Sequence, residues 1–385
     1  MVGALPYLLT FAVAAFLFWL SERTRGPLRV ILVLAALVLP ALLAGFRDKQ
    51  VGTDVMVYGY NSYTGALDSD LPGYLEGNAS YHPLGFNVFS WAMSRLGGTL
   101  WFYLTSIQLF TSSFVYLALR KLRGVGLWAG MLAYYVLLFP NSLNTMKQMM
   151  AVAVVLWAFT FCLERRLLPF LAAVVFATLF HQTAVVFVAV YPCWRAFESI
   201  GTRRAFFGRA QGFMFHVLLA AGLFLVFVLG DRLVQFSSAF KDSYQYVLNA
   251  SSDRLNYSGL ILLASGLVLL AVVKASGRGR SADSPPDGEG PSLVDDGLEF
   301  YALMFVVGCI AIQLNTVATS LMRFSYYGLI FASPLLGGLM ADGRGRSLRI
   351  AGWLTIVLFF AYFFVAYVLN GGNAIVPYTS TILGL

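Results

Sequence analysis

Long apolar stretches alternate with short polar connectors along nearly the whole chain. A helix crossing the hydrocarbon core needs roughly 20 mostly apolar residues. Ten stretches fit or approach that length: 5–20, 28–45, 100–119, 127–139, 146–163, 213–230, 259–273, 298–314, 324–340 and 350–369. The pattern predicts an all-α polytopic membrane bundle of about 10–12 transmembrane helices, re-entrant segments included, and a single integral membrane domain over 1–385. The first stretch lacks a basic n-region and a small-residue cleavage site, so it is expected to stay as a span.

Two stretches resist the scheme. Residues 83–96 are apolar but short and carry Arg95 near their end. Residues 167–190 are apolar, yet basic connectors flank them on both sides. Each is expected to be a broken or re-entrant element, because irregular backbone at membrane depth survives only where protein or a wet cavity covers it. The alternative is two ordinary spans and a local failure of the charge rule. Residues 277–297, rich in Gly, Pro, Ser and acids, are expected to be a flexible cytoplasmic loop.

Composition agrees. The 385 residues are 59% hydrophobic and 11% charged, against about 25% charged in soluble domains. The formal net charge of +8 is scattered over short connectors, which points to the bilayer as partner and away from nucleic acid. One alternate set of connectors holds 18 of the 26 Lys and Arg, from Arg23, Arg25 and Arg29 to Arg344, Arg346 and Arg349. That face is expected to be cytoplasmic, with both termini on the other side. Cys162, Cys193 and Cys309 are too far apart for a metal motif, and no metal or other cofactor is expected. No P-loop, H-E-x-x-H or G-x-S-x-G occurs, so nucleotide-driven and serine-hydrolase chemistry find no support.

A few cations break the bias. Arg47, Lys147 and Arg323 sit at the opposite ends of apolar stretches, and a bound anion is one local reason for such placement. Lys147, with Asn144 and Gln148, opens the 146–163 stretch, where a helix N-terminus favours negative charge; the alternative is a lysine snorkelling to lipid headgroups. Arg323 precedes Tyr326, and a guanidinium grips phosphate oxygens as a fork. Arg232 and Arg254 flank a second outer loop. The outer loop 46–82 carries Asp48, Thr53, Asp54 and a run of tyrosines including Tyr58, a composition suited to sugar rings or to an aromatic belt at the interface. His181 lies inside 167–190, and a histidine at membrane depth usually faces protein or a cavity. It is a candidate base, proton donor or structural hydrogen bonder.

Four patches in order carry a resemblance: Arg47-Asp48-Lys-Gln-Val-Gly52-Thr53-Asp54 with Tyr58; Asn144-Thr-Met-Lys147-Gln148; Phe180-His181-Gln-Thr-Ala184; and Arg323 with Tyr326. Together they resemble the EpsG family of Wzy-type bacterial polysaccharide polymerases. Two positions depart from that family's pattern. Lys147-Gln148 stands where the family usually has Arg-Gln, and His82-Pro83-Leu84-Gly85-Phe86 stands where it often has Glu-Pro-Gly-Phe.

The resemblance implies a GT-C-like fold in the bacterial plasma membrane, with the active site facing the periplasm or exterior. It implies inverting, metal-independent glycosyl transfer between undecaprenyl-pyrophosphate-linked oligosaccharides, and leaves room for a chain-length regulator as a further partner. Arg47, Lys147, Arg323, Gln148 and Asn144 would then hold pyrophosphate; Tyr58, Tyr326 and Thr53 would meet sugar; Asp54, His181 or Asp48 would serve the acceptor hydroxyl. Competing readings are an O-antigen-ligase-like transferase, which usually carries one large periplasmic loop, and a non-catalytic flippase or exporter of lipid-linked oligosaccharide, which should line a central cavity with cations across both leaflets.

Overall fold

The computed structural model describes residues 2–203, 256–280, 293–316 and 321–385, and all regular structure among them is helical. The chain is therefore an all-α, multi-pass membrane protein. Seven helices among the described residues are long and apolar enough to cross a bilayer: Leu5–Arg23, Pro27–Phe46, Leu100–Lys121, Met146–Leu163, Tyr257–Ser276, Gly297–Asn315 and Arg346–Leu369. These answer seven of the ten expected spans. The expected span 213–230, together with Arg232 and Arg254, lies outside the described residues.

The remaining two expected spans are broken. Residues 127–139 form α7 (Leu127–Leu137) and then a separate turn of helix, α8 (Phe139–Ser142), with Pro140 in the first turn of α8. Residues 324–340 hold two short helices, Tyr326–Leu329 and Ala332–Leu339, the second with Pro334 near its start. Proline lacks an N–H and clashes with the preceding turn, so a helix restarts at it more readily than it runs through it. Eleven residues of helix extend about 16 Å, roughly half of the hydrocarbon core.

The chain divides into two compact units, Met1–Val188 with Ile330–Leu385, and Ala189–Leu329. In the first, α1 (Leu5–Arg23) and α2 (Pro27–Phe46) form a hairpin. Three short helices follow: α3 (Tyr60–Asp68), α4 (Leu71–Asn78) and α5 (Leu84–Gly97). Next come α6 (Leu100–Lys121), α9 (Met146–Leu163) and α10 (Leu167–Thr178). Helix α9 lies between α6 and α10. From Met146 to Cys162 only Lys147 and Trp157 escape full burial, and Ala151, Ala153 and Ala158 let neighbouring backbones come close. Buried polar side chains bond between helices, as a medium without water favours. The Gln108 amide accepts from Ser142 Oγ at 2.6 Å and donates to Tyr134 at 2.8 Å and Ser112 at 3.1 Å, tying α6 to α7 and α8.

The loop expected over 46–82 is largely helical. Its short helices are clamped by α5: Arg95 donates to Ala66 O at 3.0 Å, Trp91 to Ser69 O at 3.1 Å, and within the loop Tyr74 donates to Ser62 O at 3.0 Å. Helix α5 starts after Pro83 and stops at Gly98, whose φ of 61° ends it; its 14 residues reach about 21 Å. The 167–190 stretch is not one helix either. Helix α10 ends at Thr178, tightens through Leu179 N–H to Phe176 O and Phe180 N–H to Ala177 O, and gives way to a 3₁₀ segment, Gln182–Ala189. Both stretches are thus short or interrupted.

In the second unit, α11 (Val190–Arg203), α12 (Tyr257–Arg280) and α13 (Leu293–Ile312) are the described α-helices before Leu321. Trp194 and Phe197 of α11 pack on Phe300, and Lys274 pairs with Glu299 at 3.4 Å. Asn256 caps α12 through Gly259 N–H at 2.8 Å. Of the linker expected over 277–297, the described ends are helical, α12 to Arg280 and α13 from Leu293; residues 281–292 lie outside the described ones.

Candidate active site

The elbow between α8 and α9 is cross-braced by distant segments of the first unit. Asn141 donates to Leu137 O at 3.0 Å and to Tyr367 Oη at 3.1 Å, and its Oδ1 accepts from Asn373 Nδ2 at 3.0 Å. Asn144 is held from two sides. Its Oδ1 accepts the Thr53 backbone N–H, and its Nδ2 donates to Asn373 O at 3.1 Å. The Gly52 N–H donates to Ala374 O at 3.0 Å. Three distant segments thus converge, 47–54, 141–148 and 371–381.

Arg47 ends α2 and is 95% buried, with a relative exposure of 5%. Its guanidinium donates to Ala44 O at 2.8 Å and Leu143 O at 3.2 Å, with Met146 Sδ at 3.7 Å, while Nε is buried without a hydrogen-bond partner among the described residues. Burial lowers its pKa to about 10, against the opposing pull of Tyr7, Tyr378 and Asp54, so it stays cationic at neutral pH. Arg47 therefore latches α2 to the elbow and contributes charge from below the surface.

Lys147 is the second residue of α9, and no side chain caps that helix at Thr145. Its ammonium lies 4.3 Å from the centre of the Tyr58 ring and 5.8 Å from that of Phe86, and 2.9 Å from His82 Nδ1. A cation over an aromatic face is attracted by the ring quadrupole. The Tyr58 hydroxyl is buried. Burial and then the Asp54 carboxylate hold its pKa well above the ordinary phenol value, with the Lys147 backbone N–H pulling the other way. His82 Nε2 lies 3.3 Å from Ser62 Oγ. One carboxylate, Asp54, and two cations, Arg47 and Lys147, thus share a small region roofed by Tyr58, His82 and Phe86.

The other expected site residues fall in different places. Asp48 accepts from the Thr381 backbone N–H at 2.9 Å and its hydroxyl at 2.8 Å, which lowers its pKa; it fastens the C-terminal tail. Thr53 contributes its backbone N–H, while its side chain is exposed. Gln148 is buried next to Lys147. His181 Nδ1 lies 2.7 Å from Thr183 Oγ1 at the break after α10. That break meets the start of α5, where Phe86 N–H donates to Leu179 O at 3.2 Å. Arg323 is exposed in the turn Leu321–Ser325, and Tyr326 is buried beside it; both belong to the second unit.

Two participants escaped the sequence reading. His82 was visible only as a departure from a pattern. The tail, from Asn373 to Thr381, had no signal beyond its Gly-Gly-Asn turn.

The model of the EpsG family matches residues 30–380, nearly the whole chain. The chain belongs to the EpsG family. No curated protein and no solved structure matches it. EpsG proteins are a Wzy-type polymerase family, and membership supports a polysaccharide-polymerase-like role. Lys147 and His82, the two positions expected to depart from the family's pattern, are in direct contact.

Proposed function

We propose that the chain joins undecaprenyl-pyrophosphate-linked repeat units at the outer leaflet. A hydroxyl of one glycan attacks the anomeric carbon of the other chain's reducing-end sugar. The bond from that carbon to the pyrophosphate oxygen breaks with inversion, and lipid pyrophosphate leaves with the electron pair. The observation that carries this reading is the seat of Lys147. An ammonium lies at the start of a long helix, over Tyr58 and against a histidine, with Arg47 anchored close behind. Charge placed where a leaving group becomes anionic lowers the barrier selectively. Asp54, which lies against the Tyr58 hydroxyl in the tyrosine-bearing segment expected to meet sugar, is the favoured group to take or orient the acceptor proton.

The proposed sidedness follows from α9 itself. Lys147 opens the helix and Arg165 and Arg166 follow its end, so about 27 Å of helix separates Lys147 from the basic set assigned to the cytoplasm. Arg323 is proposed as a further phosphate ligand.

The test is polymerisation of lipid-linked repeats by purified Lys147→Ala protein. The expected result is a loss of about 10²–10³-fold, the scale for removing one preorganised charge-stabilising group, with protein level and single-repeat precursor unchanged. Arg323→Ala should also abolish polymer. Normal ladders from Lys147→Ala would end the proposal.

A further inference from the structure

We propose that His82 is a positioning residue that fixes the Lys147 ammonium through its Nδ1. The inference rests on the reading of Lys147 as a pyrophosphate ligand. An ammonium has three donors and no acceptor, so at 2.9 Å His82 Nδ1 accepts. The ring proton then sits on Nε2 and faces Ser62 Oγ at 3.3 Å. The imidazole is fixed by the backbone around it. His82 N–H donates to Asn78 O at 3.0 Å, its carbonyl accepts from Asn87 Nδ2 at 3.2 Å, and Pro83 starts α5 directly after it. Its ring centre lies 5.4 Å from that of Tyr58 and 5.6 Å from that of Phe86.

The chemistry gives this arrangement a purpose. A lysine stem is flexible and its ammonium is a compact point charge, so an anion site built on it needs something to set its direction. A carboxylate at that distance would set it and also cancel its charge. A neutral imidazole sets it and adds no negative charge of its own. One donor goes to His82 and one face rests on Tyr58, which restricts where the rest of the ammonium can point.

Amide substitutions separate the two ring nitrogens. In asparagine, Oδ1 hangs on Cγ as Nδ1 does in histidine; the polar atoms of glutamine sit one bond further out, in the place of Nε2. The measurement is the dissociation constant of undecaprenyl pyrophosphate for the full-length protein in detergent, with thermal unfolding recorded for each variant. His82→Asn should bind within about threefold of wild type. His82→Gln should bind about tenfold more weakly, the effect of losing one hydrogen bond to a charged group. Equal binding by both variants, weak binding by both, or the reverse order overturns the inference. Lys147→Ala is measured alongside. If it binds like wild type, the pyrophosphate reading itself has failed and His82 has nothing to position. If it loses binding while both His82 variants keep it, only the role of His82 is lost.

Discussion

The α8–α9 elbow and the break after α10 both interrupt an apolar stretch with polar residues, and they are held in different ways. At the elbow, Asn141 and Asn144 bond to residues more than 200 positions away, Tyr367 and Asn373, and Asn144 also holds Thr53. At the break, the His181 ring bonds to Thr183, two residues on, Phe180 packs on Phe110 of α6 with ring centres 4.9 Å apart, and α5 is met through Phe86 N–H to Leu179 O. The elbow is a junction of three segments and carries Lys147. The break is a kink lying against α5 and α6. A site meant to stabilise a transient charge needs its groups fixed before the reaction, and the elbow meets that condition through bonds that only the folded chain can make.

One glycine at each place allows the contrast to be tested. Gly52 has a φ of 84°, and a Cβ there would meet Leu143 O at 2.9 Å and Asn144 Oδ1 at 3.0 Å. Gly52→Ala therefore adds backbone strain, about 1 kcal/mol, to a steric conflict of about 1–3 kcal/mol. The braced elbow has little room to yield. The expected result is a loss of about 2–4 kcal/mol in stability and of most polymerase activity, read by thermal unfolding in detergent and by the length of the product ladder. A variant with wild-type stability and activity would show that the elbow gives way easily and would erase the contrast.

Gly85, in the first turn of α5, would place a Cβ 2.7 Å from Leu179 Cβ and 2.8 Å from Leu179 O. Its φ is outside the left-handed region, so Gly85→Ala brings a steric conflict alone. The expected cost is about 1–2 kcal/mol, with activity falling less than in Gly52→Ala. Should Gly85→Ala prove the more damaging of the two, the break would be the stiffer junction and His181 the better candidate for a fixed catalytic group.

The same contrast separates what the sequence disclosed from what it withheld. Arg47 and Lys147 stood out because each lies off the charge bias, and that bias comes from the bilayer and is local in sequence. Arg47 bonds to Leu143 O and approaches the Sδ of Met146, the residue before Lys147. The all-helical membrane fold followed from run length and composition. The broken helices were harder. Hydropathy cannot tell a stretch buried in protein from one facing lipid, and only Pro140 and Pro334 hinted that 127–139 and 324–340 would split. The partnership of His82 with Lys147 crosses 65 positions and that of Asn144 with Asn373 crosses 229. Single hydrogen bonds over such separations leave no periodic trace. The polar composition of 46–82 pointed to a loop, yet its helices persist because α5 holds them through Arg95 and Trp91.

The smallest expected effect concerns the tail that braces the elbow. Asp48 receives the Thr381 backbone N–H and hydroxyl, and those bonds, led by the backbone one, hold its carboxyl below the usual carboxylate value. A depressed folded-state pKa means stability that is present above the unfolded pKa and is lost as pH falls through the folded one. Thr381→Val removes the hydroxyl and leaves the backbone N–H. At neutral pH it should cost about 0.5 kcal/mol, the low end for a hydrogen bond because the carboxylate is partly exposed and screened. The difference from wild type should shrink as pH falls through the depressed folded-state pKa, where the carboxylate becomes protonated in the folded protein too. Thermal unfolding followed from neutral pH downwards through that range reads this directly. A difference that holds or grows in acid would mean that Thr381 braces the elbow by packing, and that the tail is held by Tyr378, Ser380 and Asn373 through their bonds to Leu43, Phe46 and Asn141 without help from the charge on Asp48.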